Sequence, residues 1–185
     1  MNQKHINNEA ADPLAVDAVA VLPDILAPGL DVVFCGSAAG SASAKLGAYY
    51  AGPGNRFWPV LYGSSLTPHL VASQDFSEVL QYGIGLTDLS KFQSGADSAL
   101  ASGGDDSAAL AAKITRHKPR ALAFNGKRAG AVFLREILGA AIENYGQQKQ
   151  QLGSTAIFVL PSTSGAARRW WDAAPWYALG DYLEN

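Results

Sequence analysis

The stretch "DVVFCGSAAGSAS", Asp31 to Ser43, decides the fold. Its first half is β-branched and apolar, bounded by glycine, and reads as a buried strand ending at Gly36. Its second half is glycine, alanine and serine, with almost no side chain to keep a backbone away from a ligand. Working outward, "IGLTDL" (84–89), "RALAFNG" (120–126) and "STAIFVLPS" (154–162) read as further short strands. Helical spacing separates them, over "SAALAAKITRH" (107–117) and "KRAGAVFLREIL" (127–138). Buried strands alternating with helices predict an α/β fold with a mostly parallel sheet. Ligands of such sheets sit outside the carboxyl ends of the strands. That places Gly36–Ser43, Asp88, Asn125–Lys127 and Pro161–Arg168 around one cleft.

The rest of the chain frames this reading. Its 185 residues fit one domain, and with 48% hydrophobic residues no apolar run reaches the length of a membrane span. We expect residues 1–28 to be a loosely structured leader, without the basic and apolar segments of a signal peptide, and 29–185 to be the domain. One cysteine, Cys35, excludes an internal disulfide and a cysteine-built metal site, and suits a reducing cytosol. His5, His69 and His117 are scattered, with no metal-ligand spacing. The net charge of −2 gives no global sign of nucleic-acid binding. Residues 75–83 predict one or two helical turns, and 94–106, poor in apolar residues, a mobile loop. Asn55 and Ser107 are expected as helix caps, and Pro175 as a break within a largely helical 164–185.

The small-residue tract matches neither known phosphate loop. A dinucleotide fingerprint needs G-x-G-x-x-G and a P-loop ends in G-K-[ST], whereas Gly36 and Gly40 are spaced G-x-x-x-G. Either the tract packs a helix closely on the sheet, or it floors a pocket. "YYAGPGNRFWP" (49–59) adds two tyrosines, a Gly-Pro-Gly turn and an asparagine beside it. Tyr49 and Tyr50 can be core residues or a wall on which a planar base stacks. Phe57 and Trp58 are expected in the core, as are Trp170 and Trp171.

The blocks running from "FCGSAAGSASAKLGAYYAGPGNRFWPVLYG" through "YGIGLTDL" and "ALAFNGK" to "FVLPSTSGAARRWW" carry a more specific signal. In order and spacing they resemble the mismatch-specific uracil-DNA glycosylases, the bacterial relatives of thymine-DNA glycosylase, over roughly residues 30 to 183. The resemblance implies a three-layer α/β/α fold with a central four-stranded parallel sheet. It implies monofunctional cleavage of the N-glycosidic bond to a flipped base in DNA, by a monomer of the bacterial cytosol, without metal or cofactor. Two positions depart from the family pattern. Ala38, within Gly36-Ser37-Ala38-Ala39-Gly40, stands where the first motif carries a water-positioning asparagine. Ser162, within Ser162-Thr163-Ser164-Gly165-Ala166, stands where the second motif carries an asparagine that supplies a pocket contact, and Ala166 is a poor duplex wedge.

The resemblance implies that Asp88 takes over as the catalytic group, and the chemistry agrees. Cleavage builds cationic character on the sugar and negative charge on the leaving base, and a carboxylate stabilises the first and orients water. At an ordinary carboxyl pKa of about 3.9 it is ionised at neutral pH. The other reading of Asp88 is a cap for the following turn. Base-binding candidates are Gly36, Ser37, Ala38, Gly40, Ser41, Tyr50, Asn125 and Ser162, through backbone N–H groups, hydroxyls, an amide and a stacking ring. Asn125 can equally stabilise the turn before Gly126. DNA-binding candidates are Ser164, Gly165, Ala166, Arg168 and Lys127. The substrate expected is uracil, in G:U or G:T mismatch settings, with hypoxanthine or alkylated bases admitted by the small side chains. The alternatives are a catalytically impaired lesion-binding module and a small-molecule nucleobase-binding α/β protein.

Overall fold

A computed structural model describes residues 19–101 and 103–185 of the chain. Its centre is a five-stranded sheet in the order β2-β1-β3-β5-β4. The strands are β1 (Val32–Gly36), β2 (Ile84–Asp88), β3 (Ala121–Asn125), β4 (Gly146–Leu152) and β5 (Thr155–Leu160). β2, β1, β3 and β5 run parallel, as expected, but β4 pairs antiparallel with β5 and adds a fifth strand at the edge. β4 reads GQQKQQL and carries no apolar alternation, because only Gln148 within it is buried.

Strand alternation sorts the core into two layers. Val32, Phe34, Ile84, Leu86, Ala121, Ala123, Phe158 and Leu160 face one side. There they meet α2 (Phe57–Gly63), which follows the short α1 (Ser41–Leu46), the 3-10 stretch Ser73–Tyr82 and α5 (Ala174–Glu184). Val33, Cys35, Leu122, Phe124, Ile157 and Val159 face the other side, against α3 (Ser107–His117) and α4 (Lys127–Leu138). The result is an α/β/α sandwich.

The helix ends differ in detail from expectation. Asp106, not Ser107, caps α3, its Oδ1 accepting from the Ala109 N–H at 2.8 Å. Ser107 is the first helical residue and donates its hydroxyl proton to Glu136. Asn55 Oδ1 accepts from the Phe57 N–H at 3.0 Å, ahead of α2. Pro175 lies in the first turn of α5, where a missing N–H is harmless. The preceding break separates α5 from a 3-10 helix at Gly165–Trp170.

Residues 1–18 of the expected leader lie outside the described residues. Its last part is docked on the sheet. Ile25 and Leu86 exchange two backbone hydrogen bonds, of 2.9 and 2.8 Å, along the outer edge of β2. Leu22 is buried beneath this segment. A parallel sheet edge would otherwise present unpaired N–H and C=O groups. The docking also carries Asp24 to the carboxyl end of the sheet.

Candidate functional site

Strand register builds the site. Gly36 is level with Asp88 on β2, and one step beyond the Cys35–Phe124 pairing lies Asn125 on β3. All three fall on the aromatic side of the sheet, at its carboxyl edge, as the two-residue period requires. Gly36 is glycine for a steric reason. A Cβ there would lie 2.6 Å from Asp88 Oδ1 and 3.6 Å from the Tyr50 hydroxyl. The carboxyl of Asp88 occupies the space that any other residue would fill.

Above this floor opens a cavity of about 720 Å³, within the size range of small-ligand sites. Gly36, Ser37, Ala38, Gly40, Ser41, Tyr50, Asp88, Asn125 and Ser162 line it, as do Ser164, Gly165 and Ala166. Twelve of the predicted site residues thus converge. Arg168 and Lys127 do not line it. Arg168 is exposed, with its guanidinium against Gly54 on the rim. Lys127 is exposed at the start of α4, its ammonium 4.4 Å from the centre of the Tyr145 ring.

The walls are held from outside. Asn125 spans two roles, because its amide is taken up by the second loop. Nδ2 donates to Thr163 Oγ1 at 2.8 Å, and Oδ1 accepts from the Thr163 N–H at 2.9 Å. Arg56 N donates to Thr163 O at 2.9 Å. Gly165 packs so tightly on the opposite loop that a Cβ would meet Pro53 O at 2.7 Å. Segment 95–98, part of the loop expected to be mobile, supplies another side of the cavity. Gly95 N donates to Ala39 O at 2.9 Å and ties that loop to the small-residue tract.

Tyr50 has one ring face stacked on Phe57, with centroids 3.8 Å apart. Its hydroxyl is buried and has no hydrogen-bond partner among the described residues. Burial, the Asp88 charge and the Cys35 thiol push that hydroxyl well above the usual tyrosine range, so it remains a proton donor. Asp88 is 5% exposed. Burial pushes its carboxyl up from 3.8 to about 6, against the pull of Lys91. It therefore departs from the ordinary carboxylate that the sequence suggests. The turn after β2 is held by backbone instead, Leu89 N and Ser90 N donating to Gly36 O and Ser37 O at 2.9 and 2.8 Å.

Behind Asp88 lies a polar cluster that sequence reasoning missed. Lys91 Nζ sits 2.9 Å from Asp24 Oδ1 and donates to the Tyr49 hydroxyl at 3.1 Å. Lys113 Nζ reaches Asp24 Oδ2 at 2.6 Å, and Thr87 Oγ1 donates to Asp24 Oδ1 at 2.7 Å. Burial works against ionisation of Asp24, but Lys113, Lys91 and Thr87 prevail and hold it below its usual value. No local spacing links residues 24, 49, 91 and 113, so nothing in the sequence announces the cluster. The two neighbouring tryptophans also part company. Trp171 is half-buried against Trp176, as expected, whereas Trp170 is 73% exposed at the end of the helix whose first residues line the cavity.

Residues 23–180 match the family described as the Uracil DNA glycosylase superfamily, and the chain belongs to that superfamily of base-removing DNA enzymes. Among solved structures, the chain is similar to the solution NMR structure of a "putative Uracil DNA glycosylase" from Methanosarcina acetivorans. The two superimpose with a TM-score of 0.62 at 24% identity, over 91% of this chain and 99% of that one. At that identity the likeness speaks for the fold, and it agrees with the layered sheet described above. No helix among the described residues is long and apolar enough to cross a membrane.

Proposed function

We propose that this chain is a monofunctional glycosylase of the mismatch-specific branch, acting as a monomer on uracil in DNA, including uracil opposite guanine. The observation that carries the reading is the buried Asp88 carboxyl at the floor of the cavity, against the bare backbone of Gly36. The extrahelical base enters the cavity beside Tyr50 and the Gly36–Gly40 turn. Asp88 faces the sugar as a carboxylate. Cleavage breaks the bond between C1′ and the base nitrogen, and the bonding electrons leave with the base. Asp88 stabilises the cationic sugar and accepts a proton from the water that adds to C1′, leaving an abasic site. The Tyr50 side chain lines the pocket beside the base, with its hydroxyl buried and kept protonated.

Outside the pocket, Arg168, Arg169 and Trp170 are exposed on one short helix, with the Arg169 guanidinium 5.6 Å from the centre of the Trp170 ring. Ala166, at the expected wedge position, offers only a methyl group. Trp170 instead gives a flat apolar face to a base next to the flipped one, and the arginines meet phosphates.

Single-turnover excision from a uracil-containing duplex, wild type against Asp88→Asn, tests the reading. Release by the wild type and its loss in the variant are expected. Full release by Asp88→Asn removes Asp88 from the mechanism. Binding of abasic DNA without any release by the wild type instead identifies a lesion-binding module.

A further inference from the structure

The cluster behind Asp88 has an uneven charge count. Two ammonium groups, Lys91 and Lys113, converge on the one carboxylate of Asp24. One positive charge is left over, and it reaches Asp88, which with Asp97 is one of two acids lining the cavity. Lys91 is the member nearest to that task. It is only 9% exposed, against 30% for the Lys113 side chain, so solvent screens it less. Its ammonium also donates to the Tyr49 oxygen at 3.1 Å. The Tyr49 proton then points to Pro23 O, 3.0 Å away. Lys91 therefore acts on Asp88 by charge.

We propose that Lys91, seated on Asp24 and Tyr49, is the positioning residue that keeps Asp88 a carboxylate inside the base pocket. Lys91 does not touch the base or the sugar; it works through Asp88. The groups that face Asp88 are Lys91 from its own segment and Asp24 from the docked N-terminal segment. The Lys113 charge reaches it from α3, and Tyr49 and Tyr50 lie beside it from the segment ahead of α2, whereas the Cys35 thiol lies on the opposite side of the sheet. Lys91 and Lys113 favour the charged form of Asp88, and Asp24 opposes it. Burial opposes it more strongly than any of these charges, so a carboxyl in this position without its lysine is expected to be neutral over a wider pH range.

The inference rests on the proposed role of Asp88, and two readouts separate them. The first is a 13C-carboxyl NMR titration of Asp88, which needs no turnover. Its midpoint is expected at about 6 in the wild type, and about one unit or more higher in Lys91→Met. The second is the pH profile of kcat/KM for uracil release from a duplex oligonucleotide. Its acid limb should move up with the NMR midpoint, so that Lys91→Met loses about fivefold more, or beyond, at pH 6 than at pH 8. Lys91→Arg keeps the charge and should keep the limb near its wild-type position. Lys113→Met, on the more exposed partner, should move it in the same direction by less, and serves if Lys91→Met does not fold. A folded Lys91→Met with an unmoved Asp88 midpoint, or an unmoved midpoint in Lys113→Met where Lys91→Met fails to fold, overturns the proposal. An active Asp88→Asn beside a moved NMR midpoint overturns the role of Asp88 and leaves the electrostatic coupling standing.

Discussion

The two faces of the sheet bury side chains of different chemistry. One is largely aliphatic, with Val33, Leu110, Ile114, Leu122, Leu134, Ile157 and Val159 joined by Phe124 and Phe133. The other is aromatic, with Phe34, Tyr49, Phe57, Trp58, Phe158 and Trp176. The aromatic face has polar handles. Trp58 Nε1 donates to Tyr49 O at 3.2 Å, Trp176 Nε1 donates to Pro161 O at 3.0 Å, and the Tyr49 hydroxyl donates to Pro23 O at 3.0 Å. Each acceptor lies in or beside a segment that builds the cavity. A large ring fills volume with few rotatable bonds, and its N–H or O–H fixes a loop at a distance. Packing on this face therefore sets the geometry of the site, whereas packing on the other face supports the sheet and the helix that carries Lys113.

Asp88→Asn probes the aromatic side at its most demanding point. Excision of uracil should fall by about 10² to 10⁴-fold, the usual contribution of a positioned acid or base. Stability should move the other way. The folded midpoint of Asp88, about 6, lies above its reference value of 3.8, so the folded state binds this proton more tightly than the unfolded chain. Stability is then greatest below the unfolded midpoint, falls as pH rises from about 4 to about 6, and is flat above that. The penalty at pH 7 is on the order of 3 kcal/mol. Denaturant melts should accordingly show Asp88→Asn more stable than wild type at pH 7, by up to about that amount, and nearly equal to it at pH 3.

Leu122→Ala tests the aliphatic face. It should cost about 2–5 kcal/mol in a denaturant melt, with kcat/KM per folded molecule close to wild type. A large specific loss of activity would break the contrast between the faces. Trp176→Phe should cost less, about 1–3 kcal/mol, since the ring is largely replaced and the main loss is the bond to Pro161 O. Activity should nonetheless fall several-fold, because Pro161 leads directly into the loop 162–166. Trp170→Ala should change stability by under about 0.5 kcal/mol. Its expected effect is on duplex affinity, weakened by about 1–3 kcal/mol in fluorescence anisotropy if the ring stacks on a base. Unchanged affinity would remove Trp170 from the DNA surface.

Much of this architecture is legible along the chain, for identifiable reasons. β1, β3 and β5 are buried on both faces, so they stand out as unbroken apolar runs closed by turn residues. Asp88 is conspicuous as the acid that closes the β2 segment. β4 is not legible, because a polar edge strand needs only one partner and little burial. The cap of α3 was displaced by one residue, since Asp106 and Ser107 are both competent and only the backbone path chooses between them. Trp170 and Trp171 look equivalent in sequence, and the turn of a short 3-10 helix separates one to solvent and the other to Trp176.

By itself the sequence determined the order of the four parallel strands and of the helices α3 and α4 between them, the small-residue floor and the edge of the sheet on which chemistry could occur. Those follow from local periodicity and from residues that lack side chains. Tertiary structure decided what surrounds Asp88. Burial raises its proton affinity, Gly36 yields it space, and Lys91, Asp24 and Lys113 meet behind it from three separate segments. Electrostatic interactions depend on distance in space and on exclusion of water, and neither is written in the spacing of residues along a chain.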